Sequence, residues 1–128
     1  MLNTLSRIIL MLHGLVHLWY IVLVQRWVEF QSEMGWTGFS WLFSSWMGER
    51  AVSWLATISY ALSAAGFVIG GAGSLADQEW SRAWLIGSAL LSTLTLVAFW
   101  DGRFNLLVEK GLLGLVINLA VLVVILLF

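Results

Sequence analysis

Four stretches of this chain contain no Asp, Glu, Lys or Arg: Ile8 to Gln25, Ala51 to Ala76, Ala83 to Trp100, and Gly111 to Phe128. Each approaches the roughly 20 residues that a helix needs to cross about 30 Å of hydrocarbon. Lipid offers no water to a free amide, so a lipid-exposed spanning segment of this kind must satisfy its own backbone as a helix. The pattern predicts helices over about 6–27, 51–73, 82–100 and 110–128. The expected fold is all-α: a single transmembrane domain, 1–128, forming an integral membrane four-helix bundle. The first stretch is slightly short, but Arg7 and Arg26 flank it, and their long side chains reach the interface while the backbone stays in the membrane. No proline interrupts any of the four.

Composition agrees with lipid as the solvent. The chain is 61% apolar and 10% charged, with a mean hydropathy of +0.95, where a water-soluble domain is about half apolar and a quarter charged. The segments between the spans leave no room for a second, water-soluble catalytic domain, so any chemistry sits in the bundle or at its rims. Cysteine is absent, which excludes disulfides, thiol redox chemistry, Fe–S clusters and cysteine–zinc sites. A net charge of −1 without a run of like charges leaves no electrostatic footprint for nucleic acid. The expected partners are the lipid bilayer and other membrane subunits or a second copy; no cofactor can be named. Val24-Gln25-Arg26-Trp27 lacks the small-residue pattern of a cleaved leader, so the first stretch is expected to be a retained helix.

The connections are unequal. Asp77 to Arg82 and Asp101 to Lys110 are short and make their flanking helices antiparallel neighbours, whereas Trp27 to Arg50 is long enough to hold structure. There Trp36, Phe39, Phe43, Trp46 and Met47 recur at helical spacing, with Thr37, Ser40, Ser44 and Ser45 mostly between them. This predicts a short amphipathic interfacial helix between helices 1 and 2, anchored by its aromatics in the headgroup plane. Arg7 and Arg82 fall on one side of the membrane, and Arg26, Arg50, Arg103 and Lys110 on the other. The positive-inside tendency then puts both termini on the non-cytoplasmic side. The two halves share no residue pattern, so an inverted-repeat transporter is not supported.

Ionisable groups inside a membrane are costly and mark functional positions, which directs attention to His13 and His17. Four apart, they share one helix face, and Tyr20 continues it. The pair can ligate one face of a metal ion but lacks a third ligand at its depth, and its spacing rules out bis-histidine haem ligation within the chain. Structural histidines, a ligand pocket and a proton relay all stay open. Counting about 1.5 Å per residue from the charged boundaries puts His17, Tyr60, Ser92 and Asn118 near the midplane. The stripes Ser53, Thr57, Tyr60 and Ser88, Ser92, Thr95 then suggest a polar interior at mid-depth, either a network that fixes helix register or a small cavity. The candidate ligand-binding or relay residues are His13, His17, Tyr20, Tyr60, Ser92 and Asn118.

Gly66 and Gly70 form a GxxxG pair, beside Ala61/Ala65 and Ser59/Ser63 at the same spacing; such surfaces let backbones approach closely, within the bundle or between protomers. Asp101, Arg103 and Lys110, with Arg26, Glu29, Glu49 and Arg50, form a charged rim that is either solvated or a partner contact. No nucleophile–base arrangement, phosphate-cradling loop or paired intramembrane carboxylates are present.

His13-Gly14-Leu15-Val16-His17-Leu18, the Ser40-Trp41-Leu42-Phe43-Ser44 region, and Phe99-Trp100-Asp101-Gly102-Arg103 leading to Lys110-Gly111 and Ile117-Asn118-Leu119 together resemble a widespread bacterial family of small, uncharacterised four-helix membrane proteins. The resemblance implies architecture rather than activity, and a bacterial inner-membrane location. More distantly, the Arg7-to-His17 region is similar to the start of DoxX-like proteins, whose DoxD-type relatives belong to a quinone-linked sulfur oxidation complex. DoxX-like chains commonly carry a basic lysine or similar residue where this chain has His17. The expected function is an accessory or binding subunit of a membrane assembly holding an apolar ligand such as quinone or lipid. The alternative is a small transporter or channel component with a His13/His17 proton or metal relay.

Overall fold

The computed structural model describes residues 2–27, 39–102, 104 and 111–127. Four helices follow one another, α1 (Thr4–Val24), α2 (Glu49–Leu75), α3 (Ser81–Ala98) and α4 (Leu112–Leu127), with no strand among the described residues. Each packs on the next in the chain. The first three are long and apolar enough to cross a membrane. The 16 residues of α4 rise about 24 Å, short of the roughly 30 Å hydrocarbon core.

Local chemistry sets the helix ends. Asn3 caps α1, its Oδ1 accepting from the Ser6 amide at 2.8 Å, so one of the unpaired first-turn donors is satisfied. α1 stops at Val24 because Arg26 turns left-handed, at φ 54°. The Arg26 amide then donates to Leu23 O and the Trp27 amide to Val22 O, the paired reverse bonds of a Schellman ending. α2 ends the same way around Asp77, at φ 51°, with Asp77 N on Ser74 O and Gln78 N on Gly73 O.

The interfacial helix expected after the first span is not a regular helix over residues 39–47. Residues 41–46 make overlapping turns, closed by Ser44 N on Ser40 O and Met47 N on Phe43 O; Trp36 and Thr37 lie outside the described residues. Hydrogen bonding explains the difference. This segment caps α3, whose last carbonyls lack helical partners: the Trp41 indole donates to Val97 O at 2.5 Å, Ser40 Oγ donates to Ala98 O, and the Trp41 amide donates to Trp100 O at 3.0 Å. Phe43 follows them down onto Phe99, with ring centroids 5.2 Å apart.

The cross-section places small and polar residues inside together with a few large ones such as Phe67 and Leu85, while many large apolar side chains face outward. Ala56, Ser63, Ala89, Ser92 and Asn118 are buried completely, while Leu5, Leu12, Trp54, Leu62, Leu94 and Leu113 are more than half exposed. Water would penalise so much contiguous apolar surface; lipid does not. Helices in lipid gain little from hiding leucine, so close backbone approach and polar contacts hold them together. Gly66 and Gly70 serve that approach within the bundle. Gly66 faces Ser88, and a Cβ on Gly70 would stand 2.9 Å from Leu85 Cγ and 3.1 Å from its backbone nitrogen.

Gly87 provides the contrast, because a Cβ there meets nothing within 4 Å. Alanine is favoured over glycine in a helix by about 1 kcal/mol, whereas overpacking costs about 1–3 kcal/mol. Unfolding in micelles should therefore show Gly87→Ala as stable as the parent or more so, and Gly70→Ala as less stable.

Candidate functional site

α1 brings His13, Gly14 and His17 to one buried face; His17 is 1% exposed and His13 7%. Gly14 makes the arrangement possible. A Cβ at that position would lie 3.2 Å from Ala64 O and 2.5 Å from Phe67 Cβ, so only glycine lets α2 approach this closely without displacing its neighbours. Phe67, fully buried, then packs on both imidazoles, at centroid distances of 5.0 Å to His13 and 5.6 Å to His17.

Across the bundle, α3 and α4 supply Ser92 and Asn118. Asn118 Oδ1 is 2.8 Å from His13 Nε2, Asn118 Nδ2 is 2.7 Å from Ser92 Oγ, and Ser92 Oγ is 2.5 Å from His17 Nε2. His17 Nδ1 faces the carbonyls of His13 and Gly14, at 3.1 and 3.2 Å. The proton positions follow from these partners. Two carbonyls can only accept, so His17 Nδ1 carries its hydrogen and donates. Taking the imidazole as neutral, Nε2 accepts, and the Ser92 hydroxyl donates to it. Ser92 Oγ in turn accepts from the Asn118 amide nitrogen, and Asn118 Oδ1 accepts from His13 Nε2–H. With His17 neutral, each donor in this chain has one direction consistent with all the others.

Of the six candidate ligand or relay residues, these four therefore meet in one hydrogen-bonded chain. Tyr20 and Tyr60 stand beside it as aromatic neighbours. Their rings are 5.2 Å apart and lie 5.9 and 6.3 Å from His17. The Tyr20 hydroxyl points to the start of α4, 3.3 Å from where a Gly114 Cβ would sit. The other stripe residues do not converge. Ser88 and Thr95 donate to the carbonyls of Trp84 and Leu91 one turn back, as hydroxyls in apolar helices often do. Thr57 donates to Ser53 O and accepts from Gln25 at 2.7 Å. Among the described residues no three His, Asp or Glu side chains gather as a metal site.

The two rims differ. At the rim shared by the ends of α1 and α3, Asp101 is buried at 8% exposure, and Arg26 pairs with Glu49 at 3.2 Å in the open; Arg103 and Lys110 lie outside the described residues. At the opposite rim Arg7 pairs with Asp77 at 3.0 Å, and Arg82 donates to Ile125 O at 2.7 Å, capping the last turn of α4 with a cation. Phe67, Arg82 and the Ser40–Trp41 cap escaped the sequence reading. All three sets of contacts join residues far apart in the chain, and periodicity shows a face without showing what lies opposite. Close approach was legible at Gly66 and Gly70 from their spacing, whereas at Gly14 only the structure shows it.

No family model, curated protein or solved structure matches the chain.

Removing Asn118 strands a donor on His13 and an acceptor on Ser92. Asn118→Leu should therefore destabilise the bundle by about 1–3 kcal/mol. Ser92→Ala removes two bonds of the same chain, so the double variant should fall short of additivity by about 0.5–2 kcal/mol. Reversible unfolding in micelles measures both.

Proposed function

We propose that this chain is a small multi-pass accessory or binding module of a membrane assembly, one that holds an apolar ligand such as a lipid or a quinone and has no catalytic step of its own. One observation carries this reading: the His13–Asn118–Ser92–His17 chain spends its polar groups on itself, across three helices. Such a network locks helix register. It holds the frame while binding takes place at the helix surfaces and rims. The wide apolar surface, with Trp19, Trp27, Trp41, Trp46, Trp54, Trp80 and Trp84 all exposed, supports contact with lipid, other subunits or a second copy. The Lys and Arg distribution and the family resemblance support a bacterial inner-membrane setting with both termini outside the cytoplasm. The DoxX-like similarity supports quinone as one candidate ligand.

The rival reading, a proton relay through His13 and His17, draws on the 2.5 Å contact between His17 and Ser92. Asn118 stands in series with it, and an amide passes a proton only through a disfavoured imidic-acid form. Proteoliposomes with an enclosed pH dye decide between them. Proton leak should equal that of protein-free vesicles; a leak abolished by Ser92→Ala would replace the accessory reading with the relay. For the accessory role itself, mild solubilisation of native membranes should yield the chain in fixed ratio with another membrane subunit. A monodisperse particle of this chain alone, free of quinone and lipid, would sink it.

A further inference from the structure

The rim where α1 and α3 begin and α2 and α4 end carries an open cavity of about 600 Å³, within the size range of small-molecule sites. Its polar wall carries two guanidinium groups, Arg7 and Arg82, and two carboxylates, Asp77 and Glu79. Its inner wall is apolar, formed by Leu85, Val124 and Ile125. Leu85 and Ile125 are buried, whereas Val124 is 39% exposed on the outer face of α4, so the apolar wall continues onto the lipid-facing surface.

The arginines keep donors in reserve. Arg7 uses Nε on Leu2 O and Nη1 on Asp77, and Arg82 uses Nη2 on Ile125 O. A guanidinium offers five N–H groups, which leaves Nη2 of Arg7 and both Nε and Nη1 of Arg82 without an assigned acceptor among the described residues. Arg7 is held in place, its side chain only 16% exposed, while the Asp77 side chain is 77% exposed and retains acceptor capacity toward the rim. Arginine forks match phosphate oxygens, and carboxylates accept from a primary ammonium. Two cations and two anions on one wall balance formally, so a purely anionic head gains from one pair and is repelled by the other. A head carrying both charges uses both pairs. A quaternary ammonium lacks the N–H that a carboxylate can accept.

From this cavity we infer a binding site for a zwitterionic aminophospholipid, with the phosphodiester between Arg7 and Arg82, the primary ammonium at Asp77 and Glu79, and an acyl chain leaving along Val124. This rests on the reading of the chain as a module that holds a lipid, and it names the lipid's class and place. The depth suits the ligand, because the cavity lies at the helix ends, where headgroups lie.

The test is native mass spectrometry of the full chain in a non-ionic detergent with equimolar dioleoyl phosphatidylethanolamine, phosphatidylcholine and phosphatidylglycerol. Ethanolamine lipid should be retained at least about fivefold over either competitor, as expected of charge-assisted hydrogen bonds that the others cannot complete. Arg82→Gln should reduce retention, but it also removes the α4 cap. Glu79→Gln has no such cost and should bring the ethanolamine-to-choline ratio toward one, while Glu49→Gln at the opposite rim should leave it unchanged. Equal retention of the three lipids, or a preference that survives Glu79→Gln, overturns the proposal. Thermal protection by inorganic phosphate or glycerophosphoethanolamine equal to that by the whole lipid would assign the site to a soluble phosphate instead. Recovery of the chain in fixed ratio with another membrane subunit is independent of these results, so failure here leaves the accessory reading to be decided by that measurement.

Discussion

An amide buried among apolar helices needs partners for both its oxygen and its nitrogen, because the bilayer supplies neither. Asn118 is that amide here. It is fully buried, and its two ends reach His13 on α1 and Ser92 on α3. Few side chains combine a donor and an acceptor on so short a stem, so moving α4 up or down by one residue would forfeit both bonds. α4 depends on this more than the other helices do. It is the shortest and the most uniformly apolar, and within it Asn118 is the only side chain that carries hydrogen-bonding groups.

Close approach complements the polar chain. Gly14 admits α2 against α1, while Gly66 and Gly70 admit α3 against α2. Backbones that meet over glycine bring short polar side chains into range of one another, which a leucine-filled interface would prevent. The aromatic packing follows from the same geometry. Phe67 touches both imidazoles because Gly14 has vacated the space between the helices. Small residues and hydrogen bonds thus set the helix approach, and bulky residues such as Phe67, Leu85 and Ile125 fill the core around them.

Helix endings distribute the charges. Left-handed residues at Arg26 and Asp77 close α1 and α2, and both join ion pairs, Arg26 with Glu49 and Asp77 with Arg7. The Arg26 pair is open to solvent and contributes little. At the other end Arg7 is largely buried, and Arg82 is drawn onto the end of α4. One rim therefore holds two cations beside exposed carboxylates and an apolar wall. The sequence order alone would have made both rims look alike.

The chemistry of the individual residues was enough to establish the class of fold. Four uncharged stretches, no proline and so little charge leave a membrane helical bundle as the outcome, because backbone amides in lipid must bond within their own segment. His17, Ser92 and Asn118 were also legible, with Tyr60, as a mid-depth polar set, since depth in a membrane can be counted along each helix, and His13 was legible as sharing the face of His17. Which of the polar residues would meet was not legible. Ser88 and Thr95 share the stripe of Ser92 yet bond within α3, and Tyr20 and Tyr60 pack beside the network without joining it. The aromatic segment after the first span had helical spacing, but its hydrogen bonds went to the open carbonyls of α3. Such choices depend on rotation about each helix axis and on what a neighbouring helix end leaves unpaired. Those quantities are set between segments, and only the packed bundle determines them.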